Sequence, residues 1–392
     1  MANTMTIDQV SAVLRAVLQQ ATGQTELAAL DIGQLLTIGQ KALLTGRDPV
    51  MSAISQVISR TIFSNREYRR KFPELMRSEE QWGNMVRKLS VVETPNDLKN
   101  NDYIRLEDND TVDQYEIHKP KALQLNFYGQ QTYEVVKTVF DTQLDTVFNS
   151  AEDFAAFISM VFTYVYNKIE KIHEETARAT LTGFIAGKIT GDSSNVIHLL
   201  SEYNSLTGLE LSAQDVYTPD QFGPFMKWVY SRIEQISELM TEYSIKFHTN
   251  LTDGVIMRHT PRELQNIYLY APVFYQTTSR VLADTYHDTF LKLPGAEMVN
   301  FWQNIDEPDS IHVTKPKYLG ADGNIVEASS DLAQDNVFGL ICDREAIGYS
   351  PVLTRTKVSP YNARGEYYNM FWKFNERHWM DFTENGVVLL LD

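Results

Sequence analysis

The run Gly183-Phe184-Ile185-Ala186-Gly187-Lys188-Ile189-Thr190 has the glycines and lysine of a phosphate-binding loop. Such a loop needs four residues between its glycines, Ser or Thr directly after the lysine, and a helix that starts there so that its N–H groups meet phosphate. Here three residues intervene and Ile189 follows the lysine. The glycines close a helical pattern, where the partial charge is negative and repels phosphate. The motif is excluded, and Lys188 is expected at a helix end as a dipole partner. His173-Glu174-Glu175-Thr176-Ala177 begins like a zinc-protease helix, but Ala177 stands where the second histidine must face the metal one turn later.

Other chemistry fails in similar ways. Asp108-Asn109-Asp110-Thr111-Val112-Asp113 echoes a calcium loop without the glycine that makes its sharp bend. Asp284, His287 and Asp288 share a helix face, but a polar helix end accounts for them. Ser350, in Gly348-Tyr349-Ser350-Pro351-Val352, lacks the second glycine of a nucleophile elbow. Cys342 is the single cysteine, so neither a disulfide framework nor a thiolate zinc cluster can form; its apolar run Phe338 to Cys342 reads as a buried strand. Carboxylate pairs abound by chance and no motif selects two of them, so an acid-dependent hydrolase stays open. No cofactor or metal is expected.

Composition fits a packed, structural chain. Of 392 residues, 43 % are hydrophobic and 22 % charged, which argues against disorder over most of the length. Twenty Tyr and 19 Phe suit broad packed surfaces. A net charge of −16 argues against a protein that coats nucleic acid over its whole surface. The start Met1-Ala2-Asn3-Thr4-Met5 lacks the blocks of a signal peptide, and no apolar stretch reaches membrane-spanning length, so synthesis in the cytosol is expected.

The elements that would position these residues read as α+β. Val10, Val13, Leu14, Val17 and Leu18 form a helical stripe after Thr6, which with Gln9 fits a capping box, and Asp48-Pro49 reads as a second helix start. Between residues 60 and 90, Arg60, Arg66, Arg69, Arg70, Lys71, Arg77, Arg87 and Lys88 outnumber the acids. From Glu93 to Glu116 the balance reverses, with Asp102, Glu107, Asp108 and Asp110 among the acids, and the alternation there predicts a projecting two-stranded loop. A β-like run follows from Ala122 to Val139. The strongest element starts at Ser150 and Asp153 and carries Phe154, Phe157, Ile158, Val161, Phe162, Val165, Ile169 and Ile172 at helical spacing. It predicts a helix to about Ala186, about 50 Å long at 1.5 Å per residue. Further helices are expected at about 218–243, from Thr260-Pro261, and at about 273–285, with a short strand at Gly254–Met257. Residues 304–335 read as loop, and strands close the chain at 337–342, 352–358, 366–374 and 387–391. Asn385-Gly386 marks a turn before the last strand.

The order of parts resembles the major head proteins of tailed phages of Gram-positive bacteria, the phi-twenty-nine group. The resemblance rests on Ile58 to Tyr68, Trp82 to Lys88, His118 to Gly129, Phe148 to Phe154 and the aromatic run Tyr367-Tyr368-Asn369-Met370-Phe371-Trp372. It implies the Hong Kong ninety-seven capsid fold: an N-terminal helical arm (1–90), an extended acidic β-loop (91–128), a peripheral domain with a spine helix (129–189), an axial domain (190–340), and C-terminal strands (341–392) that complete the peripheral domain. It further implies a protein that is no enzyme but a virion shell subunit, which forms pentamers and hexamers around double-stranded DNA after assembly in the host cytoplasm. Its implied partners are a scaffolding protein, a portal and decoration proteins, with no membrane. Residues Arg66, Arg69, Arg70 and Lys71 are expected to meet Asp102, Glu107, Asp108 and Asp110 of a neighbouring subunit. An encapsulin-type compartment shell shares the fold and is the alternative within it; the hydrolase is the alternative outside it.

Overall fold

The computed structural model describes residues 7–22, 34–35, 37–38, 70–76, 86–92, 108, 115, 121–127, 130–140, 151–252, 256–280 and 296–392. In chain order the first elements are helix α1 (Ile7–Thr22) and strands β1 (Val86–Val92), β2 (Lys121–Phe127) and β3 (Gln130–Phe140). The long helix α2 (Ala151–Gly191) follows, then β4 (Val196–His198), α3 (Leu199–Thr207) and α4 (Pro219–Leu239). Next come β5 (Gln265–Tyr270), α5 (Ala271–Arg280) and β6 (Ala296–Val299). Four short strands, β7 (Ile311–Val313), β8 (Lys317–Leu319), β9 (Ile325–Glu327) and β10 (Leu332–Gln334), precede β11 (Val337–Asp343), β12 (Ile347–Val358), β13 (Tyr367–Met380) and β14 (Gly386–Leu390).

The chain divides into two compact units. The first comprises residues 1–83, 130–176 and 350–377. Its sheet has the order β12-β13-β3, with β13 antiparallel to β3 over eleven residue pairs. On β13 the residues Tyr368, Met370, Trp372, Phe374 and Glu376 are buried, while Tyr367, Asn369, Phe371, Lys373 and Asn375 are less so. That period of two marks a sheet covered on one face. In the same unit α1 buries Leu14, Val17 and Leu18, and the first half of α2 buries Val161 and Val165.

The second unit comprises residues 84–129, 177–349 and 378–392. Its five-stranded sheet runs β4-β14-β11-β5-β6, antiparallel around β11 and parallel at both outer pairs. Every residue of β11 and β14 is buried, so these strands are continuous apolar runs rather than alternating ones. The helix α4 lays Phe222, Phe225, Met226, Val229, Ile233 and Ile236 into one core with Ile267, Leu269, Phe338, Ile341, Val387 and Leu389. Cys342 is buried in β11, as its apolar run implies. Gly208 ends α3 in the left-handed conformation at φ 75°, its N–H donating to the Asn204 carbonyl at 2.8 Å.

Several sequence expectations change. The helix α2 runs to Gly191, so its 41 residues span about 60 Å and Gly183 and Gly187 lie inside it. Those glycines allow close packing rather than termination. A Cβ on Gly187 would fall 2.6 Å from the Lys317 carbonyl oxygen and against the Phe382 ring, and one on Gly183 would fall 3.0 Å from Met380 Sδ. Thr260-Pro261 opens no helix: one 3-10 turn, Arg262–Leu264, leads into β5. The hydroxyl of Thr260 donates to Asp343 Oδ2 at 2.7 Å, which takes it away from the cap. Residues 304–335 are not a loop but a nested hairpin, β7 pairing with β10 and β8 with β9. Of the strand expected at Gly254–Met257, residues 254–255 lie outside the described residues; Ile256 is buried without strand pairing. The helix start at Asp48-Pro49, the acidic run apart from Asp108 and Tyr115, and Asp284, His287 and Asp288 also lie outside them.

Within the segment 341–392, residues 350–377 belong to the first unit, and the rest, including β14, to the second. No helix among the described residues is long and apolar enough to cross a membrane.

Candidate assembly site at the root of the extended hairpin

Strands β1 and β2 pair antiparallel from Val86↔Phe127 to Val92↔Lys121 and join no other sheet among the described residues. They form a stem that brackets the acidic segment in sequence, which apart from Asp108 and Tyr115 lies outside the described residues. The stem meets its own unit through a charged cluster. Lys88 Nζ lies 2.6 Å from Glu384 Oε1, 2.9 Å from Asp381 Oδ2 and 3.6 Å from Glu345 Oε2. Two residues on, Ser90 Oγ accepts from Arg258 Nη2 at 2.8 Å, and that same nitrogen is 3.2 Å from Glu384 Oε1.

The carboxylates stand on a tight segment, Asp381–Asn385, between β13 and β14. All five of its residues are buried, Asp381 to 1 % exposure. Asp381 Oδ1 accepts the backbone N–H of Thr383 at 2.9 Å and its hydroxyl at 2.6 Å. Asp381 N–H donates to the Ala346 carbonyl, and Phe382 stacks on Phe184 of α2 with ring centres 5.1 Å apart. Asn385 donates to Thr260 Oγ1 at 3.1 Å and lies 3.2 Å from His248 Nδ1. The platform is fixed by hydrogen bonds within the segment and to its neighbours, which hold its two acids toward the stem.

Burial works against the Lys88 charge, but Asp381 and Glu384 outweigh it and hold the ammonium above the ordinary lysine pKa. Burial pushes the Glu384 carboxyl up, and Lys88 and Arg258 offset only part of that. One helical turn beyond Phe184 on α2, Lys188 is fully buried and 3.3 Å from Asp192 Oδ2. Burial pulls the Lys188 pKa down against the pull of Asp192. Asp192 in turn sits below the usual carboxylate range despite its burial, because Lys188, Asn195, Ser194 and Thr249 all stabilise its charge. The residue read as a helix-end dipole partner is therefore half of a buried ion pair.

Of the expected interface residues, Arg66, Arg69, Asp102, Glu107 and Asp110 lie outside the described residues. Asp108 is exposed in a turn. Arg70 and Lys71 lie along α2 in the first unit. The Arg70 N–H donates to Glu170 Oε2 at 3.2 Å, its guanidinium is 3.8 Å from Glu170 Oε1, and the Lys71 N–H donates to Glu174 Oε2 at 3.3 Å. The Arg70 charge is thus engaged within its own chain. Lys88 carried a sequence signal as part of the basic segment. Asp381, Glu384 and Arg258 carried none, being distant in sequence and ordinary in their local patterns.

The rejected motifs take structural roles. His173 Nδ1 contacts Glu376 Oε1, and Thr176 donates to Glu376 Oε2 at 2.7 Å, inside the first unit. Ser350 is buried. Among the described residues no group of three His, Cys, Asp or Glu side chains is placed to hold a metal ion. A groove of about 950 Å³ in the second unit is lined by Asp192, Glu202, His248 and Tyr318 among others. Two of its acids are committed, Asp192 to Lys188 and Glu202 to Arg232 through bonds of 2.8 and 3.0 Å.

A family model described as Phi29-like phage major capsid protein matches residues 14–390. Among solved structures, a chain of the Staphylococcus phage Andhra capsid is similar at 11 % identity with a TM-score of 0.52. A chain from the structure of the head fiber and inner core protein of native bacteriophage P68 is similar at 11 % identity with a TM-score of 0.54. Each match covers 85 % of this chain and 87 % of the other. No curated protein matches by sequence.

Proposed function

The chain belongs to the family of Phi29-like phage major capsid proteins, and on that premise we propose that it builds its shell through the β1–β2 hairpin, whose acidic loop lies over a neighbouring copy. The fold is that of tailed-phage capsid proteins, and the role is structural rather than enzymatic. The encapsulin and hydrolase alternatives gain no support. In the proposed assembly the subunits form pentamers and hexamers in a closed shell around double-stranded DNA, with a scaffolding protein, a portal and decoration proteins as partners, and they assemble in the host cytoplasm. The first unit, with the N-terminal part of α2, serves as the peripheral domain, and the second serves as the axial domain.

The observation that carries the contact reading is the isolated two-stranded stem. A pair of strands alone is marginal in water, so a stem of seven residue pairs gains from contacts beyond its own ladder, at its root from its own unit and, in this proposal, from a neighbouring copy. The complementary charges are Asp102, Glu107, Asp108 and Asp110 on the loop, and Arg66, Arg69 and Lys71 on the neighbour, with Arg70 contributing less because Glu170 already engages it. Single exposed pairs are worth about 0–1 kcal/mol, so strength comes from repetition around the shell. The test is a charge exchange. Arg66→Glu with Arg69→Glu should abolish closed shells, and adding Asp102→Lys with Glu107→Lys should restore them. Shell yield unaffected by the first pair would overturn the proposed contact.

A further inference from the structure

The geometry at the hairpin root points to a second element of this reading. We propose that Lys88, held by Asp381 and Glu384, with Arg258 gripping Ser90, is an electrostatic latch that fixes the direction in which the β1–β2 hairpin leaves its own subunit. The inference rests on the reading of the hairpin as the contact arm, and it says what aims that arm before any neighbour arrives.

The two sides of the latch are built differently. On the platform side, Asp381 and Glu384 sit on a buried segment pinned by Thr383, Ala346, Thr249 and Phe184. On the hairpin side, the stem shares no backbone ladder with any other sheet among the described residues. The Lys88 ammonium and the Ser90 hydroxyl tie it to the unit, and they come from alternate positions of β1 and so share one face of the stem. Five charged groups converge there. Lys88 comes from β1, Arg258 from the segment before β5, Asp381 and Glu384 from the platform, and Glu345 from the turn after β11. Lys188 of α2 acts on Asp381 from behind. His248 faces Asn385 rather than the carboxylates. Removing the lysine would leave Asp381 and Glu384 with Arg258 and the charge of Lys188, and truncating one partner of a largely buried ion pair is costly because the other charge is stranded. The stem would then pivot on its covalent ends.

Hydrogen–deuterium exchange of the full chain before assembly tests this without requiring a shell, so failure of the latch and failure of the contact reading are distinguishable. In Lys88→Met, amides of 86–92 and 121–127 should exchange about tenfold faster at neutral pH, while those of β14 (386–390) keep their rate. Lys88→Arg should restore most of the protection. Ser90→Ala, which retains every charge, should give a smaller acceleration in the same strands and serves if Lys88→Met does not fold. Unchanged exchange of the stem in either variant would overturn the proposal. So would an equal acceleration of β14, which would make Lys88 a support of the whole unit rather than of the hairpin.

Discussion

At the residue scale, the telling groups are charges largely withdrawn from solvent. Asp192 and Lys188 stabilise each other, and removing either strands its partner. Asp192→Ala should therefore lower unfolding stability by about 3 kcal/mol, read from a denaturant midpoint. The folded pKa of Asp192 is depressed, so its contribution is present above the unfolded carboxylate value and is lost as pH falls through the folded one. Acid titration of stability should be shallower in Asp192→Asn than in the unaltered chain. The latch has the opposite dependence. Lys88 has a raised folded pKa, so its contribution is full below the unfolded lysine value and is lost as pH rises through the folded one. Alkali that carries pH past the folded Lys88 value should loosen the stem in exchange experiments, and a stem as protected there as at neutral pH, after correction for intrinsic rates, would contradict this account. Gly187 makes a further prediction of a different kind. Gly187→Ala places a methyl group against the Lys317 carbonyl and the Phe382 ring, and should cost about 1–3 kcal/mol by thermal unfolding.

At the element scale, the long helix and the last strands were legible because periodicity reports burial directly. The apolar spacing from Phe154 to Ile172 defined α2, and the runs at 337–342 and 387–391 matched strands buried on both faces. Its C-terminal boundary was misread because Gly183 and Gly187 resemble a stop signal locally. Their reason is tertiary, a close approach by Phe382 and Lys317 that no local pattern encodes. Thr260-Pro261 misled similarly: a helix-start signature was diverted when Asp343, 83 residues on, took the threonine hydroxyl. The nested hairpin at 311–334 was hidden by strands of three residues, too short to show alternation. The site divides along the same line. The basic and acidic segments were visible as composition, whereas the platform Asp381–Asn385 was not, since its carboxylates look like an ordinary polar turn until the chain brings Lys88 and Arg258 to them.

At the scale of the whole molecule, a chain of net charge −16 that nevertheless concentrates basic residues before its acidic loop is suited to self-association and poorly suited to gripping DNA. An acidic inner wall would let packaged DNA move, and the shell would be held by many weak subunit contacts rather than by strong ones. Raising salt should then lower the rate of shell closure more than it lowers subunit stability, because exposed pairs are screened and the buried latch is not. Light scattering against ionic strength, beside a denaturation curve, separates the two. The measurement that bears most directly on the central claim is electron microscopy of the full chain co-expressed with the scaffolding protein proposed for it. Closed shells, or rings of five and six subunits, are the predicted result. A protein that remains monomeric with the scaffold present would contradict it.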